Sequence, residues 1–561
     1  MDSKKKSIVI ANIGTSDIAV KIEEIDRYIP VGFDRNEPNI NDSDLTEEDK
    51  STWEQELEKS FIREYLCLEL GIDRYSFREL TERILEEYNK DEETWHHRIS
   101  LDRFKGVIDQ AKSAFDIEKV YLFVTNQPKY IPDLKTGKLK FNKGYLTDTI
   151  HLYDIFQKWF KREIPDLKLE KKEIPQNILP VEQDKLFSYY YQFFEESINK
   201  LFRKNTKSDS IIIASIKGGT NQMESALRLQ TIASLAKKQL FVEPILSLKK
   251  ILYGKPSECK FTSYWQYMSI QKYEDVKVIL DRWDFDGALQ LLEQWQKSLI
   301  FLKDNNIDDA QIKTHNKLIG QVIKVLEIGN NYWSLDIEKA KGIAKDRSFK
   351  IPPEVTKELT INDDKDLLGE ILLNTYTQCR IHYKLKQMAS FLVGVSSFYE
   401  IVLQRIVDDR GTEAKQKEFQ KKKNRYEKRD VIDSLFTKNS KEKESWQGTK
   451  NIRGIRPSLN QLNLWCKRRN QFIHYDDTAS KNLGGISEES LQKFYEDEKN
   501  KGNNICSLKE ILDEVMPQIL KSDLGLISLE QKSKFVGEDK PYYIYSEVRN
   551  WVVKQLTEKG F

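Results

Sequence analysis

The stretch KRRNQFIHYDD, Lys467 to Asp477, carries Arg468, Arg469, Asn470 and His474 within seven positions. Arginine presents a planar fork of donors that fits a phosphate or a carboxylate, and histidine is the side chain whose proton moves near neutral pH. Such a set can hold a phosphodiester and move a proton on it. If Leu459 to Ile473 is one helix, then at roughly 100° per residue Leu462, Trp465, Cys466, Phe472 and Ile473 form an apolar stripe with Arg469 at its centre. A guanidinium placed there requires a buried carboxylate, such as that of Glu400, or a phosphate delivered into a groove or dimer seam. Asn470 flanks it. His474 lies about 140° around a straight helix from Arg469, so the two converge only if the helix ends or bends, or if a second copy contributes. The following YDDTASKNLGG, with Gly484 and Gly485, fits a helix end soon afterwards. A structural ion pair beside a surface histidine is the other reading of these residues.

A second set lies near the amino terminus. In SIIIASIKGGTNQM a buried-type strand runs into Lys217, Gly218 and Gly219, and a helix begins near Thr220 or Asn221. Asn221 and Glu224 have the spacing of a capping box. Free amides at such a turn, with glycines that let phosphates approach the backbone, make an anion seat. ANIGTSD offers a similar turn through Asn12, Gly14, Thr15 and Ser16, and a third strand ends in Thr125, Asn126 and Gln127. In an open α/β sheet, ligands bind outside these strand ends. There is no GxGxxG after the first strand and no GxxxxGK[ST], so the expected ligand bears phosphate without being held as NAD or ATP usually is. Tight turns and simple caps would use the same glycines and hydroxyls.

The elements that must position both sets are legible as periodicity. SIVIANI, KVYLFVTN, SIIIASI and QLFVEPI predict strands, and amphipathic spacing predicts helices over Gly144 to Arg162, Val181 to Phe202 and Asn221 to Lys238. Beyond about Lys250 the chain turns helical, IPPEV (Ile351 to Val355) marks a boundary, and Leu385, Met388, Leu392, Val395, Tyr399, Val402 and Ile406 outline a deeply apolar helix. The basic run EAKQKEFQKKKNRYEKRD follows, readable as a solvated face or as a track for an RNA backbone. A parallel sheet domain over residues 1–250 with an insertion near 20–105, a helical connector over 251–355 and a helical domain over 356–561 result.

Composition narrows the function classes. Across 561 residues, 91 Lys plus Arg nearly balance 89 Asp plus Glu, so no global field advertises nucleic acid or an acidic membrane. Five cysteines without CxxC pairs fit a reducing compartment and give no structural zinc set, and His96 with His97 is not one either. No signal-peptide pattern or bilayer-length apolar run is evident, which predicts a soluble, cytoplasmic protein without membrane contact.

In this order the motifs resemble the CARF and HEPN ribonucleases that accompany type III CRISPR systems. SIKGGTNQM resembles the family's phosphate-side loop, ANIGTSD its first-strand loop and RNQFIH its R-x(4-6)-H motif, and the likeness in domain order covers most of the chain. The long insertion departs from the simplest sheet domains of the family. The resemblance implies a Rossmann-like CARF domain, an all-α connector and an all-α HEPN domain in a homodimer. It implies a cyclic oligoadenylate, tetra- or hexaadenylate, as activator in the sheet cleft, and single-stranded RNA as substrate at a composite site of two RNQFIH motifs. Arg469 would hold the scissile phosphate, His474 serve as general acid or base, Asn470 orient one of them and Arg468 contact a neighbouring phosphate. No metal or other cofactor would be needed. Lys217, Thr15 and Ser16 could also cleave the activator slowly, although the same groups suffice for binding alone. Two other readings use the same residues: a nucleotide sensor that acts by binding a partner, and a small-molecule enzyme seated in the sheet domain.

Overall fold

Runs such as SIVIAN and IIIAS are apolar at consecutive positions rather than alternate ones, as strands buried on both faces require. In the computed structural model they form the centre of a six-stranded sheet: β1 (Lys6–Asn12), β2 (Asp116–Val124), β3 (Leu169–Glu173), β4 (Ile211–Ser215), β5 (Gln239–Ile245) and β6 (Glu258–Thr262), in spatial order β3-β2-β1-β4-β5-β6. The structure describes residues 4–32, 45–59, 76–133, 136–204, 210–245, 247–307, 309–346, 353, 355, 367–436, 446, 453–473 and 486–558. The chain divides into two compact units, one of residues 1–268 with 297–314, the other of residues 269–296 with 315–561.

In the first unit β1 to β5 run parallel and β6 closes the edge antiparallel to β5. Val9 lies opposite Val120 of β2 and Ile213 of β4, so β1 is the central strand. One face carries Ile8, Ile10, Phe123, Ile212 and Ala214 beneath Leu186, Tyr190, Met223, Ala226 and Leu227 of the helices Gln183–Phe193 and Asn221–Ala233. The helices Asp102–Ala114 and Ile150–Glu163 also pack on β2. Between β1 and β2 the inserted chain forms a small antiparallel sheet of Arg27–Pro30, Ala19–Ile22 and Ile99–Ser100, with helices Phe77–Lys90 and Glu92–Arg98.

All four expected strands form, while two expected helices are interrupted. Gly144 to Arg162 begins as a 3-10 turn, Lys143–Thr147, and becomes α-helical only at Ile150; the Asn142 side-chain Oδ1 accepts from Gly144 N at 3.0 Å and fixes the turn. Val181 to Phe202 is α-helical over Gln183–Phe193 and widens into a π-helix at Phe194–Asn199. The third, from Asn221, stops at Ala233 rather than Lys238.

The second unit is helical. Met388–Arg410 buries Met388, Phe391, Leu392, Val395, Phe398, Tyr399, Val402 and Ile406 against Leu367–Lys384, Arg425–Asp433 and Arg456–Ile473. A Cβ on Gly394 would stand 2.6 Å from the Cys379 sulfur, so the first two of these helices cross at closest approach there. Leu385 does not join this helix: it sits in the turn before it, where Lys386 takes a φ of 58°. Contrary to the expectation that no run approaches a bilayer span, Met388–Arg410 is long and apolar enough to cross one, yet most of its large apolar side chains are spent in the helical core. The basic run forms the helices Glu413–Lys421 and Arg425–Asp433 with Phe419, Arg425 and Arg429 buried, which a purely solvated face would not show.

Candidate functional site

The strand order reverses direction between β1 and β4, and at that point their carboxyl-end loops touch. Gly218, at φ 116°, lies so close to β1 that a Cβ would meet the Asn12 carbonyl oxygen at 2.3 Å; one on Gly14 would meet Gly219 N at 2.8 Å. Only glycine serves at 218, where neither the space nor the conformation admits a side chain.

Beneath the two loops lies Arg103, 4% exposed, which sequence reasoning missed. Its Nε and Nη2 donate to the two carboxylate oxygens of buried Asp17, its Nη1 donates to Ser16 Oγ at 2.9 Å, and Asp17 in turn accepts from Gly14 N at 2.7 Å. The Gly14 amide is therefore committed within its own loop. Gly218 N donates to Glu224 Oε1 at 3.2 Å. The expected row of free amides is corrected to this extent: two of them are held by carboxylates. The capping box is displaced as well. Thr220, not Asn221, is the cap, accepting from Met223 N at 3.3 Å, because Glu224 reaches past the helix start to Gly218. Asn221 and Gly219 are exposed, and Lys217, Thr15 and Ser16 are half-buried around the same loops.

Asn12, 2% exposed, accepts from Tyr190 Oη at 2.5 Å, and its Nδ2 is sealed from solvent with no hydrogen-bond partner. An orphaned buried donor at a strand end costs about 1–3 kcal/mol, which an acceptor supplied from outside would recover. Thr125, Asn126 and Gln127 end the adjacent β2 but are largely spent on structure. Thr125 and Thr149 exchange amide-to-hydroxyl bonds at 3.0 and 3.2 Å. Asn126 joins Arg78 to Glu173, and Gln127 N donates to Asp148 Oδ2 at 2.6 Å. Burial pushes the Asp148 carboxyl up to about 6, against the pull of the Gln127 amide, Thr125 and Arg78.

Asp102, next to Arg103, is pushed up to about 7, first by burial and then by the Asp17 charge, while its own amide and Arg103 pull it down. A carboxyl whose folded value lies above its unfolded one binds extra protons in the fold, so its ionisation weakens the fold as pH rises from about 4 through about 7. Asp102→Asn is expected to stabilise the chain at pH 8 by on the order of 2 kcal/mol and by clearly less at pH 5. Urea unfolding at both values checks this, and a gain independent of pH would contradict it.

In the helical unit, Arg456–Ile473 begins with Pro457 in its first turn and buries Leu459, Leu462, Trp465 and Cys466. Gln461 accepts from Cys506 N and donates to Asn504 O, both at 2.7 Å, and Trp465 Nε1 donates to Cys506 O at 2.9 Å. The buried arginine is Arg468, 1% exposed, with its guanidinium 4.9 Å from the Phe494 ring; burial lowers its pKa and Asp497 opposes this. Arg469, expected at the stripe's centre, is only half-buried, and Glu400, the carboxylate named as one of its alternative partners, is exposed. The Glu488–Asn500 helix supplies a second apolar wall through Phe494, and Arg468, three residues beyond Trp465, falls on that side. The side chain of Asn470, and His474, Gly484 and Gly485, lie outside the described residues. Among the described residues no three His, Cys, Asp or Glu side chains are grouped to hold a metal ion.

No family model matches the chain, and no curated protein does. Among solved structures it is similar to Enterococcus italicus Csm6 bound to cyclic hexa-2'-fluoro-hexa-dAMP, at 13% identity and a TM-score of 0.45 over 98% of this chain and 99% of that one.

Proposed function

We propose that the protein is a cytoplasmic endoribonuclease of type III CRISPR defence, switched on by a cyclic oligoadenylate and acting on single-stranded RNA as a homodimer. The observation that carries the sensing half is the contact of two glycine loops at the reversal point of a parallel sheet, with the buried donor of Asn12 beside them. That is where an α/β sheet takes a phosphate-bearing ligand. The catalytic half rests on RNQFIH, carried at the end of a helix whose other contacts are already fixed.

The reaction asks little of the protein because RNA brings its own nucleophile. The 2′-oxygen attacks the adjacent phosphorus and loses its proton, the bond to the 5′-oxygen breaks, and that oxygen takes a proton; the products are a 2′,3′-cyclic phosphate and a 5′-hydroxyl. Arg469 holds the phosphate and steadies the charge that builds on it, Asn470 orients it, and His474 moves the proton. Arg468, packed on Phe494, props the helix end that presents them. Slow cleavage of the activator by Ser16 would have to use a hydroxyl that already accepts from Arg103.

The test is cleavage of a fluorogenic single-stranded RNA by the full chain in EDTA, with no activator, cyclic tetraadenylate or cyclic hexaadenylate. Cleavage that appears with one ring and is absent without it is expected. Binding of a ring with no cleavage would leave a sensor that works through a partner, and turnover of the ring alone would leave a small-molecule enzyme.

A further inference from the structure

Arg425 is a buried cation with no counter-charge among the described residues. It is 7% exposed, its Nε and Nη2 are sealed from solvent without a hydrogen-bond partner, and among the described residues it enters no ion pair. Arg429, one turn further along the same helix, shows what a satisfied buried arginine looks like here. Its Nε donates to Asp433 at 3.1 Å, its Nη1 to Tyr399 Oη at 3.2 Å and its Nη2 to Asn460 Oδ1 at 2.9 Å. A lone buried guanidinium is expensive to keep and is retained where an anion arrives.

What surrounds Arg425 indicates which anion. Its neighbours are the Tyr426 ring, 5.0 Å away, Tyr399, and the Cys466 thiol, a neutral hydrogen-bonding contact whose pKa burial raises and Arg425 draws back down. Cys466 belongs to the helix that carries RNQFIH. Arg469 stands three residues beyond it, which on a helix is the same face one turn on. The unpaired cation therefore borders the helix face that carries Arg469. No basic residue of this run belonged to the expected catalytic set.

We infer that Arg425 is a second phosphate seat of the helical unit, holding the RNA phosphate next to the one at Arg469. This rests on the ribonuclease reading and adds to it a residue that sets how the strand lies across the site. A carboxylate of a second copy of the chain is the competing occupant; the adjacency to Cys466 and Arg469 favours the phosphate.

The test uses the full chain carrying His474→Ala, so that RNA stays intact, with the activating ring present. Binding of a single-stranded RNA oligonucleotide is measured across a salt series, alongside melting temperature and oligomeric state. Arg425→Met, which keeps the apolar stem and removes the orphan charge, is expected to melt no lower than its parent, to bind RNA about tenfold more weakly, and to lower the slope of log affinity against log salt by about 0.7. Arg425→Lys, which keeps a charge but not the fork, is expected to bind more weakly with the slope preserved. An Arg425→Met protein with the parent's slope would overturn the seat, as would one whose only change is in oligomeric state. Met and Lys variants that both melt well below the parent, with the RNA slope intact, would make Arg425 a structural residue and overturn it too. A parent that binds no RNA at all would instead remove the ribonuclease reading, and the seat with it.

Discussion

His474→Ala is expected to lower ring-stimulated RNA cleavage by about 10²- to 10⁴-fold, the usual weight of a general acid or base, while ring binding is unchanged. The separation follows from where the residues lie. The glycine loops and Asn12 belong to the sheet unit, and His474 follows a helix of the helical unit. Arg469→Ala is expected to cost a similar factor, and Arg469→Lys to recover part of it, since lysine supplies the charge without the fork. Single-turnover cleavage with saturating ring, together with ring binding by each variant, separates the two sites. Cleavage by His474→Ala within threefold of wild type would end the proposed mechanism. Because imidazole titrates near neutral pH, the wild-type rate should also change across pH 5 to 8.

How far the sequence reaches depends on the kind of signal. The central strands were readable because burial on both faces leaves an uninterrupted apolar run, as in IIIAS. β3, LEKKE, and β6, ECKFT, went unread for the opposite reason: edge strands present one side to solvent and carry lysines and glutamates that look like loop. The loops at Gly14 and Gly218 were legible because glycine is forced where backbones touch. What grips them was not, since Arg103 is 86 residues from Asp17 in the chain and follows a different part of the insertion. Local capping patterns misled by one position at Thr220, because Glu224 found a better use at Gly218 than at the helix start. The helical stripe around RNQFIH failed in a similar way. A second apolar wall, Phe494 on the separate helix Glu488–Asn500, captured Arg468 and left Arg469 half-buried. Periodicity assumes one buried side, and this helix has two.

The second large effect is expected at Arg103, where the cost falls on the fold and reaches the ligand through it. Arg103→Leu leaves Asp17 buried with its charge uncompensated, and breaking such a pair by removing one partner costs about 3–5 kcal/mol. Among the described hydrogen bonds Asp17 would keep the Gly14 amide, and Ser16 would lose the bond from Arg103, so the loop that meets Gly218 loosens. Adding Asp17→Asn to Arg103→Leu removes the stranded charge while an amide oxygen can still accept from Gly14 N. The double variant is therefore expected to be more stable than Arg103→Leu alone, by about 1–3 kcal/mol. Denaturant unfolding of wild type, both single variants and the double gives the coupling directly, and ring binding by the same four proteins reports whether the loop still forms its seat. A double variant no more stable than Arg103→Leu would mean that Arg103 supports the sheet edge through packing, with the charge pair incidental. With coupling present and ring binding lost in Arg103→Leu but partly regained in the double, the buried pair is what holds the first loop in shape to meet the second.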